Sequence, residues 1–185
     1  SGVALTTQPV VTARDAQGIT DVNFTDTVTL TEGSAGSLSN NSASAVSGVA
    51  TFTNLIYSAT ADQESFTLSA DDEAGGAEGD LPSVNAGAVT SDVVATQLVI
   101  TTQPAPLTGV SGNVLDFSTD PVVEAQDAAG VRDTDFTDTV TLLETGAGTA
   151  TYANNSVSAV SGVATFTDLT VTYTATADGE TFGLQ

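Results

Sequence analysis

Thr, Val, Ser and Ala fill short alternating runs along the chain, and Gly, Asn and Asp punctuate them. In residues 26–30, Val28 and Leu30 share one face while Thr27 and Thr29 share the other, and residues 138–142 repeat this with Val140 and Leu142. A period of two is the mark of a β-strand with one buried face. Residues 65–70 set Phe66, Leu68 and Ala70 together, and Phe182 and Leu184 stand at the matching positions further on. Residues 48–55 (GVATFTNL) and 162–169 (GVATFTDL) place Ala50 with Phe52 and Ala164 with Phe166, so both Phe are expected at the centre of a core. No stretch shows the periodicity of an amphipathic helix.

The pattern occurs twice. Residues 9–30 match 121–142, residues 40–55 match 154–169, and residues 57–69 match 173–185, with 37 of 51 aligned positions identical. The offset between copies is 112, then 114, then 116. A two-residue insertion keeps the inward and outward faces of a strand in phase, whereas a one-residue slip would turn the apolar face to water. Residues 97–104 (QLVITTQP) have no clear counterpart ahead of residue 1, and residues 70–96 have none after residue 185. Copy one is therefore expected to lack its first strand and copy two its last. Both a window of a longer protein and a subunit completed by its neighbours' strands fit this.

Reading QLVITTQP, PVVEAQDAAG, DTVTLLE, residues 154–160, GVATFTDLTV, ETFGL and VNAGAVTSDVV as strands gives about seven per unit. The predicted fold is all-β: tandem immunoglobulin-like β-sandwiches, with a first repeat over 1–95 and a second over 96–185. Seven Phe and three Tyr suit a thin core of small branched side chains.

Composition narrows the chemistry. The chain has no His, Cys, Met, Trp or Lys, which removes thiol and imidazole catalysis, disulfides, Schiff-base lysines and Cys/His zinc sites. Two basic against 23 acidic side chains give a formal charge of −21, so nucleic acid and anionic membranes are poor partners and cations are natural ones. With 40% hydrophobic residues and 14% charged, the chain is expected to fold. No apolar stretch approaches the roughly 20 residues of a membrane span, so no membrane insertion is expected. Residues 1–10 lack a signal-peptide pattern, and any secretion signal or anchor is expected outside this chain.

The combination TTQPVVTARDAQG, DTVTLTEGSAGSL, SGVATFTNL and ESFTLSADD resembles the bacterial immunoglobulin-like repeats of very large secreted adhesins and surface fibres. The resemblance covers nearly the whole chain in both copies. It implies an extracellular or cell-surface location and a structural role, with neighbouring repeats or identical subunits as head-to-tail partners. It carries over no catalytic residue. A carbohydrate or surface-ligand module is the alternative, weakened by the missing Trp. An enzyme is not expected.

Candidate metal chemistry lies in the acidic loops. Asp133, Asp135 and Asp138, matched by Asp21, Asn23 and Asp26, form a D-x-[DN]-x-x-D run whose oxygens suit calcium and equally suit Asx-turns. Asp71, Asp72, Glu73, Glu78 and Asp80 crowd the Gly-rich segment after the strand at 65–70, a second candidate for calcium against a plain acidic loop. Asp15 and Asp127, each just before a Gly turn, are expected to accept backbone N–H bonds. Asn23, Asn40 and Asn154 begin N-x-[ST] acceptor patterns for N-linked sugar.

Overall fold

Alternating branched and hydroxyl side chains become strands wherever one face can be buried, and the computed structural model is all-β over the residues it describes, 1–76 and 79–185. The chain divides into two units, Ser1–Val93 and Val94–Gln185. Unit 1 holds β1 (Val10–Thr12), β2 (Thr27–Glu32), β3 (Ser37–Ser39), β4 (Ser42–Ser44), β5 (Val49–Thr51), β6 (Ile56–Ser58), β7 (Ser65–Asp72) and β8 (Val84–Thr90). They pair as β4-β2-β7-β8, β1-β5 and β3-β6. Unit 2 holds β9 (Gln97–Thr102), β10 (Val114–Asp116), β11 (Val122–Gln126), β12 (Thr139–Thr141), β13 (Thr149–Ala153), β14 (Ser156–Ser158), β15 (Val163–Thr165) and β16 (Thr170–Thr174). These pair as β15-β11-β9, β12-β14 and β10-β16-β13.

The apolar faces meet in a core of their own in each unit. Val28, Leu30, Phe52, Leu55, Tyr57, Phe66 and Leu68 are buried in unit 1. Val123, Val140, Leu142, Phe166, Leu169 and Val171 form one cluster in unit 2, drawn from all three of its sheets. Phe52 and Phe166 keep 1% and 0% of their surface exposed, as their alternation predicts. Outside, Thr27 faces Ser44 and Thr29 faces Ser42 with hydroxyls 3.2 Å apart, and Thr139–Ser158 and Thr141–Ser156 repeat these cross-strand pairs at 3.1 and 2.8 Å.

The predicted strand GVATFTDLTV is two strands. β15 pairs with β11, then the chain crosses at Asp168 (φ 54°) and β16 joins the sheet of β10 and β13. Asn54 (φ 60°) makes the same crossing between β5 and β6. Asp and Asn tolerate this left-handed conformation because their short side chains bond locally. Two-residue turns close the hairpins ahead of β5 and β15: Ser47 and Gly48, like Ser161 and Gly162, all have positive φ. A side chain at Gly48 or Gly162 would collide with the carbonyl of Asp21 or Asp133.

Length differences between units fall in partnered strands. β3 and β6 pair over three residues, β13 and β16 over five. Ser1 Oγ accepts from Ala59 N–H as Ser111 Oγ accepts from Ala175 N–H, so residues 1–5 run beside β6 as β10 runs beside β16. Gln8 and Asp120 both receive the N–H of the crossing Leu, Leu55 and Leu169. Eight residues separate the ends of that stretch in unit 1 and ten in unit 2, counting both. The stretch leading into this sheet and its two long-paired strands are thus each two residues longer in unit 2.

Burial of the two rings sets the first expectation. Phe52→Ala or Phe166→Ala should cost its own unit about 3–5 kcal/mol. With no Trp present, denaturant unfolding followed by tyrosine emission reads this, and unchanged midpoints would contradict the core assignment.

Candidate functional site

Carboxylates in the loops serve the backbone first. Asp15 Oδ1 accepts the N–H groups of Gln17 (2.9 Å) and Ile19 (2.8 Å), and Asp127 Oδ1 accepts those of Ala129 and Val131, both at 2.9 Å. Asp21 Oδ1 accepts from Asn23 N–H at 2.9 Å. Asp133 is buried, with Oδ1 accepting from Asp135 (3.0 Å) and Phe136 (2.9 Å) and Oδ2 from Ala95 (2.8 Å). These are Asx-turns, in which the carboxylate replaces a carbonyl that the turn cannot supply. Asp26 and Asp138 accept through their backbone carbonyls from Ala45 and Ala159, and the Asp26 carboxylate lies against Gly76 where no side chain would fit. Among the described residues Asp133, Asp135 and Asp138 do not converge as a carboxylate trio.

A different group does converge. β7 ends at Asp71 and Asp72, and the chain returning toward β8 brings Asp80 beside them, with one oxygen of each within 4.8 Å of the others. Asp72 Oδ1 accepts the N–H of Leu81 at 3.0 Å, while its Oδ2 is buried with no hydrogen-bond partner among the described residues. This trio could hold a metal ion. Glu73 is not part of it, and Glu78 lies outside the described residues.

Glu64 and Glu180 are the residues that alternation alone does not single out. Glu180 Oε1 accepts the Tyr173 hydroxyl at 2.6 Å and Ala147 N–H at 3.1 Å, and Oε2 accepts the N–H of Thr176 at 2.5 Å. Glu64 holds the same turn in unit 1, accepting from Thr60 N–H (2.7 Å) and Ala35 N–H (3.0 Å). The repeated T-A-D-x-E, residues 60–64 and 176–180, is the signal that finds them. The Tyr173 hydroxyl above all, with the Thr176 amide, lowers the Glu180 carboxyl to about 2. Glu64 is lowered chiefly by the Thr60 amide. Tyr57 stacks on Phe66 with ring centroids 3.8 Å apart, and Tyr173 stacks on Phe182 at 4.4 Å.

The units differ at their edges. In unit 2, β11 has β15 on one side and β9 on the other, whereas β1, its counterpart, pairs with β5 alone among the described residues. Val123 and Ala125 are 2% and 1% exposed, yet the equivalent Val11 and Ala13 are only half-buried. A cleft of about 250 Å³ opens beside β1, floored by Leu30, Leu68 and Ala70 and bounded across by Val84 and Ala86 of β8. In unit 1, β8 covers the far edge of β7, and Phe66 is 3% exposed. In unit 2 the matching Phe182 is half-buried in a groove of about 960 Å³ that also takes in Leu184, Ile100 and Leu107.

Comparison with protein-family models, curated proteins and solved structures returns no match.

The Glu180 latch has a definite pH signature. Its folded value of about 2 lies below the ordinary 4.5, so the latch contributes stability above about 4.5 that is lost as pH falls toward 2. Acid titration of unit 2 unfolding should show this loss, and Glu180→Gln should remove that part of the pH dependence. An identical acid profile in the variant would contradict the role given to Glu180.

Proposed function

We propose that the chain is a structural module of a repetitive extracellular adhesin or surface fibre, in which tandem immunoglobulin-like β-sandwich units hold some other part away from the cell surface. The observation that carries this reading is where the two copies agree. Identical residues fill the core and the turns, as with Val28 and Val140, Leu30 and Leu142, Phe52 and Phe166, and both Ser-Gly hairpins. Exposed positions drift, as with Gln17 and Ala129 or Asn23 and Asp135. A scaffold kept constant under a drifting surface is what an interchangeable spacer requires, since each unit of such an array needs only to fold and to bear load along its strands.

Acidity supports the same role. A charge of −21 favours solubility in such a segment, and hard cations are its natural ligands. Calcium fits Asp71, Asp72 and Asp80, because it takes six to eight oxygens and completes its shell with carbonyls or water. Neutralising three converging carboxylates would stiffen the return from β7 to β8.

Pulled from its ends in a single-molecule force experiment, the chain should unfold in two discrete steps, each releasing about 300 Å of contour. One continuous extension without steps would overturn the load-bearing role. For the cation, millimolar calcium should raise the melting temperature of wild type and leave Asp72→Asn unmoved. A wild-type transition indifferent to calcium and to chelator would rule the site out.

A further inference from the structure

We propose that the outer edge of β1 is a strand-acceptor site for an extended segment with the sequence pattern of β9, Q-L-V-I-T-T followed by Q-P. Unit 2 supplies the template. There β9 lies antiparallel on β11 with Ile100 opposite Val123, Val99 opposite Glu124 and Leu98 opposite Ala125. Ile100 packs against the core of unit 2 and Pro104 is buried just beyond the strand. β11 and β1 share Pro-Val-Val-x-Ala, and both pair through the same register with β15 or β5. Only the cover differs, and its effect is visible: Pro121, Val123 and Ala125 are buried while Pro9, Val11 and Ala13 are half-buried.

Backbone geometry is ready for pairing. Ala13 N–H donates to Gly48 on the β5 side, so alternation turns the N–H and C=O of Thr12 toward the open edge. An extended segment there gains main-chain hydrogen bonds, and its Ile, placed as Ile100 is on the core of unit 2, drops into the cleft over Leu68 and Ala70. Copying the unit 2 register sets its Ile opposite Val11 and its Leu opposite Ala13. The segment carries no charge, so it meets no repulsion from the acidic chain.

A second copy of the chain is a poor occupant for a reason of stoichiometry. Each chain, in its described residues, has one β9 and two edges that take such a strand, β11 and β1. Exchanging β9 between copies moves the open edge without filling it. The occupant is therefore a further strand of β9 type, presented by another polypeptide segment of that pattern.

The test titrates the isotope-labelled 185-residue chain with the capped peptide QLVITTQP, followed by amide NMR and hydrogen exchange. Expected are shifts in β1 and at Leu68, Ala70 and Val84, new protection of Thr12 N–H, and no change at β11. A peptide carrying Asp in place of the residue matching Ile100 should bind at least about tenfold more weakly; the protein stays wild type, so folding is not in question. No shift at millimolar peptide, equal binding of both peptides, or shifts confined to the groove beside Phe182 would each overturn the site. Thr12 protection that appears with protein concentration alone would place a second copy there and overturn the assigned occupant. A failed titration removes the acceptor site only, whereas stepless extension removes the structural role only.

Discussion

Each unit depends on a four-residue crossing that carries the chain from one sheet to another: Phe52, Thr53, Asn54 and Leu55, and again Phe166, Thr167, Asp168 and Leu169. The Phe and the Leu on either side are almost wholly buried, while the residue between them takes positive φ to turn the strand. Such a kink breaks the sheet ladder, and its freed backbone groups must find partners. They do: Asn40 and Asn154 side-chain amides donate to the carbonyls of Asn54 and Asp168, at 2.9 and 3.0 Å. Gln8 Oε1 accepts Leu55 N–H at 2.7 Å, and Asp120 accepts both Asp168 and Leu169 N–H. Without that satisfaction the two apolar anchors could not be buried at one short bend, where they join Val28 and Leu30, or Val140 and Leu142, in the core that holds the sheets together.

This crossing also shows where sequence reading stops. Alternation identifies buried positions and marks the Phe pair, Val28 with Leu30, Val140 with Leu142, and Phe66 with Leu68. It cannot see that GVATFTDLTV changes sheet at Asp168, because the bend preserves local alternation and is fixed by distant partners such as Asp120 and Asn154. β10 and β13 carry no such alternation for a related reason. Val114–Asp116 is too short to show a period, and Thr149–Ala153 follows a Gly-rich turn that masks it. Those glycines have their own cause, since a Cβ at Gly36 or Gly148 would run into the ring of Tyr57 or Tyr173.

At the acidic loops the legible part was local. Asp15 and Asp127 precede Gly turns, and an Asx-turn closes within four residues, so its geometry follows from spacing. The meeting of Asp71 and Asp72 with Asp80 depends on the path of the chain between β7 and β8, and no spacing rule separates Asp80 from Glu73. Glu180 illustrates a wider habit of this molecule. With Arg14 and Arg132 its only cationic side chains, it uses most carboxylates as acceptors for amides and hydroxyls rather than as halves of ion pairs, the 3.8 Å approach of Arg132 to Glu124 being weak and exposed. Fixed dipoles are not screened away by salt as surface ion pairs are.

In the sheet of β10, β16 and β13, the paired strands β13 and β16 are each two residues longer than β3 and β6, and the added residues, Tyr152 and Ala153 with Thr170 and Val171, pair with one another. Two residues are one full pleat, about 7 Å of strand. A change in either strand alone would leave unpaired amides at the sheet end, so the two lengths are bound to move together. The dimension of a unit along its strands is therefore quantised: it grows or shrinks by whole pleats, while the crossing and the aromatic core beneath it stay where they are.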